Sequence, residues 1–399
     1  MSIQRMSRRR FLSTLGAGTV VLVAGGGVWR AVDQGVFSSA QGPAYAAWET
    51  WRTDMSDGPM ALVRAGILAA SPHNTQPWLF RVTDTEVELF ADTQRHLGAM
   101  DPYLREMHIG LGCAIENMML TAQAIGYDAT LTLESGSLTG PNDALEPTLV
   151  ATFALAEGSP APDELYEAIP NRHTDRAAYD MTRPVTDATL TTLRELADKE
   201  PDIVIMFFAQ GSEAYTKVVE ATIDSTEMII ADEVMSYDSH KWFRSSWREV
   251  QEHKDGPFID TAGVPPLLRG VVKMLPPIAV ETIDSNWLSA TQSTLDATPI
   301  VGFIAVRDLY DQVQAVSAGR LWQRMHLWTT TQGLSMHPIN QMPEIVDRER
   351  QLDQPAQMAE FIDGITQNAD WRPTFAFRLG YPTMSLLPSA RRPVEEVTV

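Results

Sequence analysis

Hydrophobic and polar residues recur with two different periods along this chain, and these periods predict both helices and strands. Between Tyr103 and Gly126, apolar residues such as Ile109 and Met118 recur at helical spacing, and Gly126 suits the end of a helix. Polar and apolar residues alternate in 87–89, which is typical of a strand. The same patterns predict further helices at 48–70, 163–168, 187–197, 212–232 and 320–332, and strands at 79–83, 87–91, 129–133, 148–156, 203–208, 300–306 and 374–379.

The order of these elements divides the chain into two similar halves. A linker rich in glycine and proline, 156–162, separates an N-terminal half (45–160) from a C-terminal half (163–399). Helices, a loop of small residues and paired strands recur in both halves, which indicates an α+β fold that arose by duplication. The segment 236–290 is rich in tryptophan and proline and is predicted to be irregular. It is either a lid over a site or a structural arm between the halves.

Residues 1–40 are predicted to be a signal peptide rather than part of the fold. Ser7–Leu12 contains the paired arginines and the phenylalanine of a twin-arginine signal, and a moderately apolar run, 15–29, follows. Cleavage is expected after Ala40 or Ala46, and an uncleaved membrane anchor is the alternative. The expected partner is the twin-arginine export machinery, with transient membrane contact through the signal, and the expected location is periplasmic. Because this route carries folded proteins, it favours a tightly held organic cofactor.

Composition excludes several classes of partner. The 399 residues carry a formal net charge of −20, so nucleic acid is not expected to bind. The single cysteine, Cys113, lies among apolar residues and is predicted to be buried; one cysteine cannot form an intrachain disulfide or a multi-cysteine metal cluster. No metal site is predicted, since the histidines are scattered over different elements. Motifs of serine hydrolases, phosphate-binding loops and zinc proteases are absent from the sequence.

The segment Ser71–Trp78 concentrates polar chemistry at the end of a helix. Ser71 and Pro72 stop the preceding apolar helix, and a strand begins after Trp78. Hydroxyl, imidazole and two carboxamide groups lie between, including those of Asn74 and Gln76. Taken alone, the segment is either a capped turn before an edge strand or one side of a binding site.

A second polar cluster, Arg172–Arg176, contains two arginines, a histidine, a threonine and an aspartate. Two guanidinium groups, Arg172 and Arg176, with the side chains of His173 and Thr174 can hold a phosphate. The alternative is a surface patch of ion pairs. Near the C-terminus, Arg391 and Arg392 either complete a phosphate clamp or belong to a solvated tail.

Together, these segments resemble the two FMN-binding signatures of the nitroreductase (flavin reductase-like) family. The residues that carry the resemblance are Ser71-x-x-Asn74-x-Gln76-Pro77-Trp78, Arg172-His173-Thr174, Leu334-Ser335-Met336-His337-Pro338, Phe377-Arg378-Leu379-Gly380-Tyr381-Pro382 and Arg391-Arg392-Pro393. The match is closest to the Acg-like branch and covers roughly residues 60–130, 165–180 and 300–396. The resemblance implies a nitroreductase-like α+β fold whose antiparallel sheets are flanked by helices.

The order of the two signatures differs from that of ordinary members of the family. Those members have the arginine signature first and bind FMN between two subunits. Here the Ser71–Trp78 signature precedes the arginine signature, and each occurs once. The resemblance therefore implies two fused halves that form an intramolecular pseudo-dimer with one FMN at their interface.

The resemblance also assigns roles to individual residues. Arg172, His173, Thr174 and Arg391 would bind the phosphate and ribityl chain, with Arg392 beside them and Arg176 as a less direct contact. Ser71, Pro72, Asn74 and Gln76 would approach from the other half, and Ser335–Pro338 would lie beside the flavin ring. No side chain need act as acid or base, because the flavin carries the hydride. The expected function is two-electron transfer to or from a small organic substrate, with an unknown electron donor. The alternative is storage or sequestration of FMN with little turnover.

Overall fold

Two antiparallel sheets of four strands, one in each half of the chain, form the framework of this computed structural model, which describes residues 28–52, 58–141, 145–275, 280–368 and 370–399. The first sheet has the strand order β1-β2-β4-β3 and the second β5-β6-β8-β7. The strands are β1 (Trp78–Val82), β2 (Glu86–Ala91), β3 (Tyr127–Leu133), β4 (Thr148–Glu157), β5 (Ile203–Ala209), β6 (Ile300–Val306), β7 (Ser335–Pro338) and β8 (Arg372–Gly380). The predicted α+β fold with two antiparallel sheets is confirmed.

Helices flank both sheets. Their bounds are Ala46–Thr50, Met60–Gly66, Arg105–Ile125, Glu164–Ala168, Asp187–Glu195, Glu213–Ala231, Glu233–His240, Trp247–His253, Pro266–Met274, Val280–Asp296, Gln312–Thr331, Gln341–Gln351 and Gln357–Thr366, and residues 28–33 are also helical. The prediction that 236–290 is irregular is wrong. Its helices have ordinary start signals: the Ser246 hydroxyl accepts a bond from the Glu249 N–H, and Pro266 occupies the first turn of its helix.

The two halves meet where the helices Arg105–Ile125 and Gln312–Thr331 cross. A Cβ added to Gly319 would lie 1.9 Å from the Ile109 carbonyl oxygen, and one added to Gly112 would lie 2.0 Å from the Val316 carbonyl oxygen. The helix backbones are therefore in direct contact. Only glycine permits this approach.

The C-terminal tail extends the sheet of the other half. The Phe80 N–H donates to the Val397 carbonyl (2.8 Å), and the Val399 N–H donates to the Phe80 carbonyl (2.9 Å). Thr398 thereby pairs in parallel with Phe80 on the edge strand β1. This pairing carries Arg391, seven residues earlier in the tail, to the N-terminal half.

Part of the predicted signal peptide packs against the segment 236–290. Arg30 Nη2 donates to the Leu275 carbonyl (2.9 Å), and Lys273 Nζ donates to the Gly35 carbonyl (3.0 Å). Ala44 is fully buried. The twin-arginine motif lies in residues 1–27, outside the described residues. In the part of the chain that the structure describes, no helix combines the length and apolarity needed to cross a membrane.

A cluster of buried carboxyl groups joins the halves beside the crossing helices. Asp101, Arg105 and Glu106 come from the N-terminal half, and Glu344 and Asp347 come from the C-terminal half; all five are buried. Arg105 Nε donates to Asp347 Oδ2 (2.8 Å). Burial raises the pKa of Glu344 to about 8 and that of Asp101 to about 6, and burial together with Glu344 raises the pKa of Glu106. One guanidinium therefore faces four carboxyl groups, some of which retain protons near neutral pH.

We expect this cluster to make the protein less stable as pH rises from about 5 to 8. The folded state holds protons that the unfolded state has released, so the free energy of unfolding falls, by about 1.4 kcal/mol per pH unit for each such proton. Urea unfolding at a series of pH values measures the slope. Glu344→Gln should flatten it, whereas Glu220→Gln, an exposed control on another helix, should leave it unchanged. A slope that is the same in all three proteins would contradict the assignment.

Candidate functional site

The loop that follows the helix Met60–Gly66 has an unusual backbone. His73, Asn74 and Gln76 all have positive φ angles, of 45°, 53° and 53°. Each such residue costs on the order of 1 kcal/mol, and strain of this kind concentrates at functional sites. The structure thus singles out the same loop that the polar pattern predicted.

The carboxamide groups of this loop hold it to two other segments. Gln76 Nε2 donates to the Lys254 carbonyl (2.8 Å), and Gln76 Oε1 accepts from the Arg392 N–H (2.8 Å). Ser71 Oγ accepts from the Gln76 N–H (3.0 Å). Gln76 is completely buried, and these bonds use its side chain to shape the loop. Asn74 Nδ2 donates to the Ala390 carbonyl (3.0 Å), while its Oδ1 faces an arginine.

That arginine is Arg391, which the C-terminal tail delivers to the loop. Its Nη1 donates to Asn74 Oδ1 (2.7 Å) and to Ser389 Oγ (2.6 Å). Its Nη2 donates to the carbonyls of Leu68 (3.2 Å) and Ala69 (3.0 Å), at the end of the preceding helix.

Arg172 reaches the same place from the other direction. Its Nη2 donates to the Leu68 carbonyl at 3.2 Å, so two guanidinium groups share one acceptor. Its Nη1 lies 3.5 Å from Nδ1 of His326, on the helix Gln312–Thr331. The structure therefore brings together Asn74, Arg172 and Arg391, which are far apart in sequence.

These two guanidinium groups are buried without counter-ions. Both side chains are buried, and within the described residues no carboxylate pairs with either. Burial lowers the pKa of Arg172 to about 10, and burial together with Arg172 lowers the pKa of Arg391. The Nε atoms of both arginines are buried and have no hydrogen-bond partner among the described residues. Burying two such cations costs free energy. An anionic ligand that accepts hydrogen bonds from both guanidinium groups would offset that cost.

Two imidazole groups line this basic cluster. His326 Nε2 lies 3.1 Å from the His173 carbonyl, and the His173 ring packs edge-on against Trp48 with ring centres 4.8 Å apart. Burial, Arg172 and Arg391 lower the pKa of His173 to about 3, and burial lowers that of His326. Both imidazoles are therefore neutral near pH 7, which keeps further positive charge out of the site.

A second basic group lies beside β7 and β8. Arg378 Nε is 3.0 Å from Nδ1 of His337, and Arg378 Nη2 donates to the Asp175 carbonyl (2.9 Å). Arg176 Nη1 donates to the Thr261 carbonyl (3.2 Å), and burial lowers its pKa to about 10. The Asp175 N–H donates to the Met336 carbonyl (3.2 Å), which connects the arginine signature to β7.

The remaining predicted residues are distributed unevenly around these groups. Ser335 is buried at the start of β7, where it contacts Asp175, and Pro338 ends the same strand. Thr174 lies beside a small cavity that Arg176 also lines. Pro72 packs near Gly110 of the helix Arg105–Ile125.

Arg392 does not join Arg172 and Arg391. Its Nη1 lies 3.8 Å from Asp92 Oδ2 and donates to the Gln76 carbonyl (3.3 Å), and its Nη2 donates to the Glu396 carbonyl (2.8 Å). Consecutive residues in an extended tail point to opposite sides, so only one of the two arginines can face the cluster. Of the two arginines that the sequence analysis offered for a phosphate clamp, only Arg391 therefore lies with Arg172.

The segment 236–290 contacts both sides of the site. The Gly256 N–H donates to the Asn74 carbonyl (3.2 Å), and Ser239 Oγ lies 3.0 Å from Nε2 of His73. On the opposite side, its Thr261 carbonyl accepts the Arg176 bond already described. The segment thus joins the N-terminal loop to the arginine signature.

Three contributors escaped the sequence reading: His326, Arg378 and the Leu68 carbonyl. His326 is one of the scattered histidines for which the sequence predicts no role. Arg378 belongs to the segment Phe377–Pro382, which carries part of the family resemblance. A charged residue within an otherwise apolar strand is a sequence signal that could have marked it as a site residue. No signal in the sequence marks a particular backbone carbonyl.

Two curated relatives match nearly the whole chain. They are proteins of Mycobacterium tuberculosis, from strains CDC 1551 and H37Rv, that are provisionally named NAD(P)H nitroreductases. Each is 24% identical to this chain over 364 residues, which is 90% of this chain and 96% of the relative. This similarity supports the nitroreductase family that the sequence signatures predicted. No protein-family model matches the chain.

Solved nitroreductase structures overlap with part of the chain. An FMN-dependent nitroreductase from Mycobacterium smegmatis, in complex with NADPH, covers 59% of this chain and 97% of its own at 13% identity and a TM-score of 0.36. An FMN- and NADPH-dependent nitroreductase from a Sphigopyxis strain covers 58% of this chain and 96% of its own at 16% identity and a TM-score of 0.39.

Proposed function

We propose that this chain is an FMN-dependent oxidoreductase of the nitroreductase family that binds one FMN between its two halves. When bound, FMN would exchange a hydride, two electrons at a time, with a small organic substrate. The observation that carries the proposal is the pair of buried guanidinium groups, Arg172 and Arg391, that share the Leu68 carbonyl and have no carboxylate partner among the described residues.

The residues present suit the phosphate end of FMN. A phosphate monoester offers several charged acceptor oxygens, and the orphaned Nε atoms of Arg172 and Arg391 are donors of matching charge. Asn74 and Ser389 orient Arg391 through its Nη1 atom. Neutral His173 and His326 add hydrogen-bonding groups without adding charge.

The chain's own part in the chemistry is to bind and to orient. The strained loop around Asn74 and the strand β7 approach the site from different halves, so a flavin between them would be fixed by both. The segment 236–290 contacts the loop through Gly256 and Ser239. Burial keeps the pKa of His337 low, so this imidazole beside Arg378 is neutral and is not a proton donor at neutral pH.

Flavin stoichiometry tests the proposal directly. The purified full-length protein should be yellow or should take up FMN on titration, with saturation at one FMN per chain. A protein that stays colourless and shows no FMN-dependent change in fluorescence would refute the proposal. Saturation at two per chain would refute the single-site arrangement.

Storage of FMN is a second candidate, which one observation favours. The covering segment is tied to both sides of the site, through Gly256 at the loop and through Thr261 at Arg176. A flavin sealed beneath it would be inaccessible to a nicotinamide donor.

Anaerobic reduction separates the two candidates. Because the relatives bear NAD(P)H nitroreductase names, we expect NADPH to reduce the bound flavin rapidly. A stopped-flow experiment measures the reduction as a loss of flavin absorbance. Dithionite, which is small, serves as the control that the flavin is reducible. Bleaching by dithionite but not by NADPH or NADH would instead favour storage or an unusual donor.

We also propose that the protein is exported by the twin-arginine route and belongs to the Acg-like branch. The paired arginines of 7–12 and the order of the two signatures support these assignments. Replacing Arg8 and Arg9 with lysine tests export, since the variant should then remain in the cytoplasmic fraction. An unchanged distribution between fractions would refute it.

A further inference from the structure

An exposed apolar surface is formed by residues that the candidate site does not include. Two neighbouring elements form it: the start of the described chain and the helix Pro266–Met274. Leu267 is 87% exposed and Phe37 is 74% exposed. We call this surface the apolar patch, and its members, all more than half exposed, are Val28, Trp29, Val32, Phe37, Leu267, Leu268, Val271 and Leu275.

Hydrogen bonds and packing hold the two elements side by side. Arg30 Nε donates to the Met274 carbonyl (3.0 Å), and Arg30 Nη2 donates to the Leu275 carbonyl (2.9 Å). The Val36 side chain lies 3.5 Å from the position that a Cβ on Gly270 would occupy. The apolar side chains of the two elements therefore belong to one continuous surface.

The cations beside the patch have partners within the protein. Lys273 Nζ lies 2.6 Å from Asp260 Oδ1, and Arg269 Nε lies 3.5 Å from the same oxygen. The guanidinium of Arg30 is occupied by backbone carbonyls, as described above. These cations therefore keep hydrogen-bond or ion-pair partners within the protein when an apolar partner covers the patch.

The residues that precede the patch in the sequence indicate what kind of partner covers it. Between Arg10 and Arg30 there are nineteen residues without a charged side chain, and the last two, Val28 and Trp29, belong to the patch. An uncharged stretch of this length is one criterion for a segment that enters a lipid bilayer. The patch follows this stretch directly in the sequence.

We propose that the apolar patch rests on the surface of a lipid bilayer, with residues 11–27 retained as the attachment. The patch is apolar and the whole chain is strongly acidic, so the contact is with the acyl-chain boundary rather than with anionic headgroups. Exposed apolar areas of this kind mark interaction surfaces. A second copy of the chain is the competing occupant, which the experiment distinguishes.

A fluorescent label on the patch reports which partner covers it. Cys113 is buried and is the only cysteine, so Leu267→Cys gives a single accessible thiol for a polarity-sensitive fluorophore. In full-length protein reconstituted in phosphatidylcholine vesicles, we expect the emission to shift to the blue and to be quenched by nitroxide-labelled lipids. The same label on Leu352→Cys, an exposed apolar position just after the helix Gln341–Gln351, should keep its emission in water.

Three results would overturn the proposal. The first is that the protein sediments with the vesicles while the label at position 267 keeps its emission in water, which would mean attachment through residues 11–27 alone. The second is a concentration-dependent blue shift without vesicles, which would assign the patch to a second copy. Replacing Leu268 and Val271 with serine should reduce the lipid-dependent shift, and an unchanged shift would also count against the patch.

Discussion

Replacing Arg172 with alanine is expected to weaken FMN binding about a hundredfold, because a hydrogen bond between charged groups contributes on the order of 1.5–3 kcal/mol and this side chain offers more than one. Arg391→Ala should have a similar effect. Riboflavin, which lacks the phosphate, should bind the two variants almost as well as it binds the unaltered protein. Quenching of flavin fluorescence measures both affinities, and the riboflavin value shows whether the site is still folded.

Arg392→Ala is the matched control for this experiment. It removes a neighbouring arginine whose guanidinium faces Asp92 and the Gln76 carbonyl instead of Arg172. Its FMN affinity should remain within about twofold of the original, since the Arg392 guanidinium does not contact Arg172 or Arg391 and lies 3.8 Å from Asp92 Oδ2. Undiminished FMN binding by Arg172→Ala would overturn the phosphate assignment. Equal losses of FMN and riboflavin would indicate a structural role instead.

The sequence located the two polar segments of the site but not how they meet. Helix-stop and strand signals bracketed the loop at Asn74, and the family resemblance paired it with Arg172. Whether Arg391 or Arg392 faces the site depends on how the tail pairs with β1, a contact between residues more than 300 positions apart. A one-residue shift in that pairing would exchange the two arginines, so no local pattern decides between them.

Local signals also explain which elements were predicted well. The helix that ends at Gly126 and the strand Ile300–Val306 were predicted nearly to the residue, because a left-handed C-cap and a short apolar run are local signals. The helices Pro266–Met274 and Val280–Asp296 were missed. Prolines near them are typical of loops, and the helix Pro266–Met274 is held by contacts with distant residues such as Arg30 and Gly35.

The crossing of the two central helices leads to the second large effect. Gly319→Ala is expected to destabilise the protein by about 3 kcal/mol or more, although alanine is the better helix former by about 1 kcal/mol. The new methyl group would lie 1.9 Å from the Ile109 carbonyl oxygen, which belongs to rigid helix backbone and cannot move alone. The helices must separate, so apolar contacts along the whole crossing weaken.

Gly364→Ala provides the control with the opposite sign. Gly364 lies within the helix Gln357–Thr366, and a Cβ there would meet no atom within 4 Å. Alanine should therefore raise stability slightly, through helix propensity alone. Urea unfolding of the two variants compares them directly, and equal or stabilising effects at both positions would contradict the close crossing.

Combining Gly319→Ala with Gly112→Ala tests whether the crossing behaves as one unit. Gly112 makes the reciprocal contact, 2.0 Å from the Val316 carbonyl oxygen. Once the first methyl group has separated the helices, the second enters space that is already open, so the double variant should lose less stability than the sum of the single losses.

The same separation would move Leu68 of one half away from Arg172 of the other, so both single variants should also bind FMN more weakly. Additive losses with unaltered FMN affinity would show that the site does not depend on this contact between the halves.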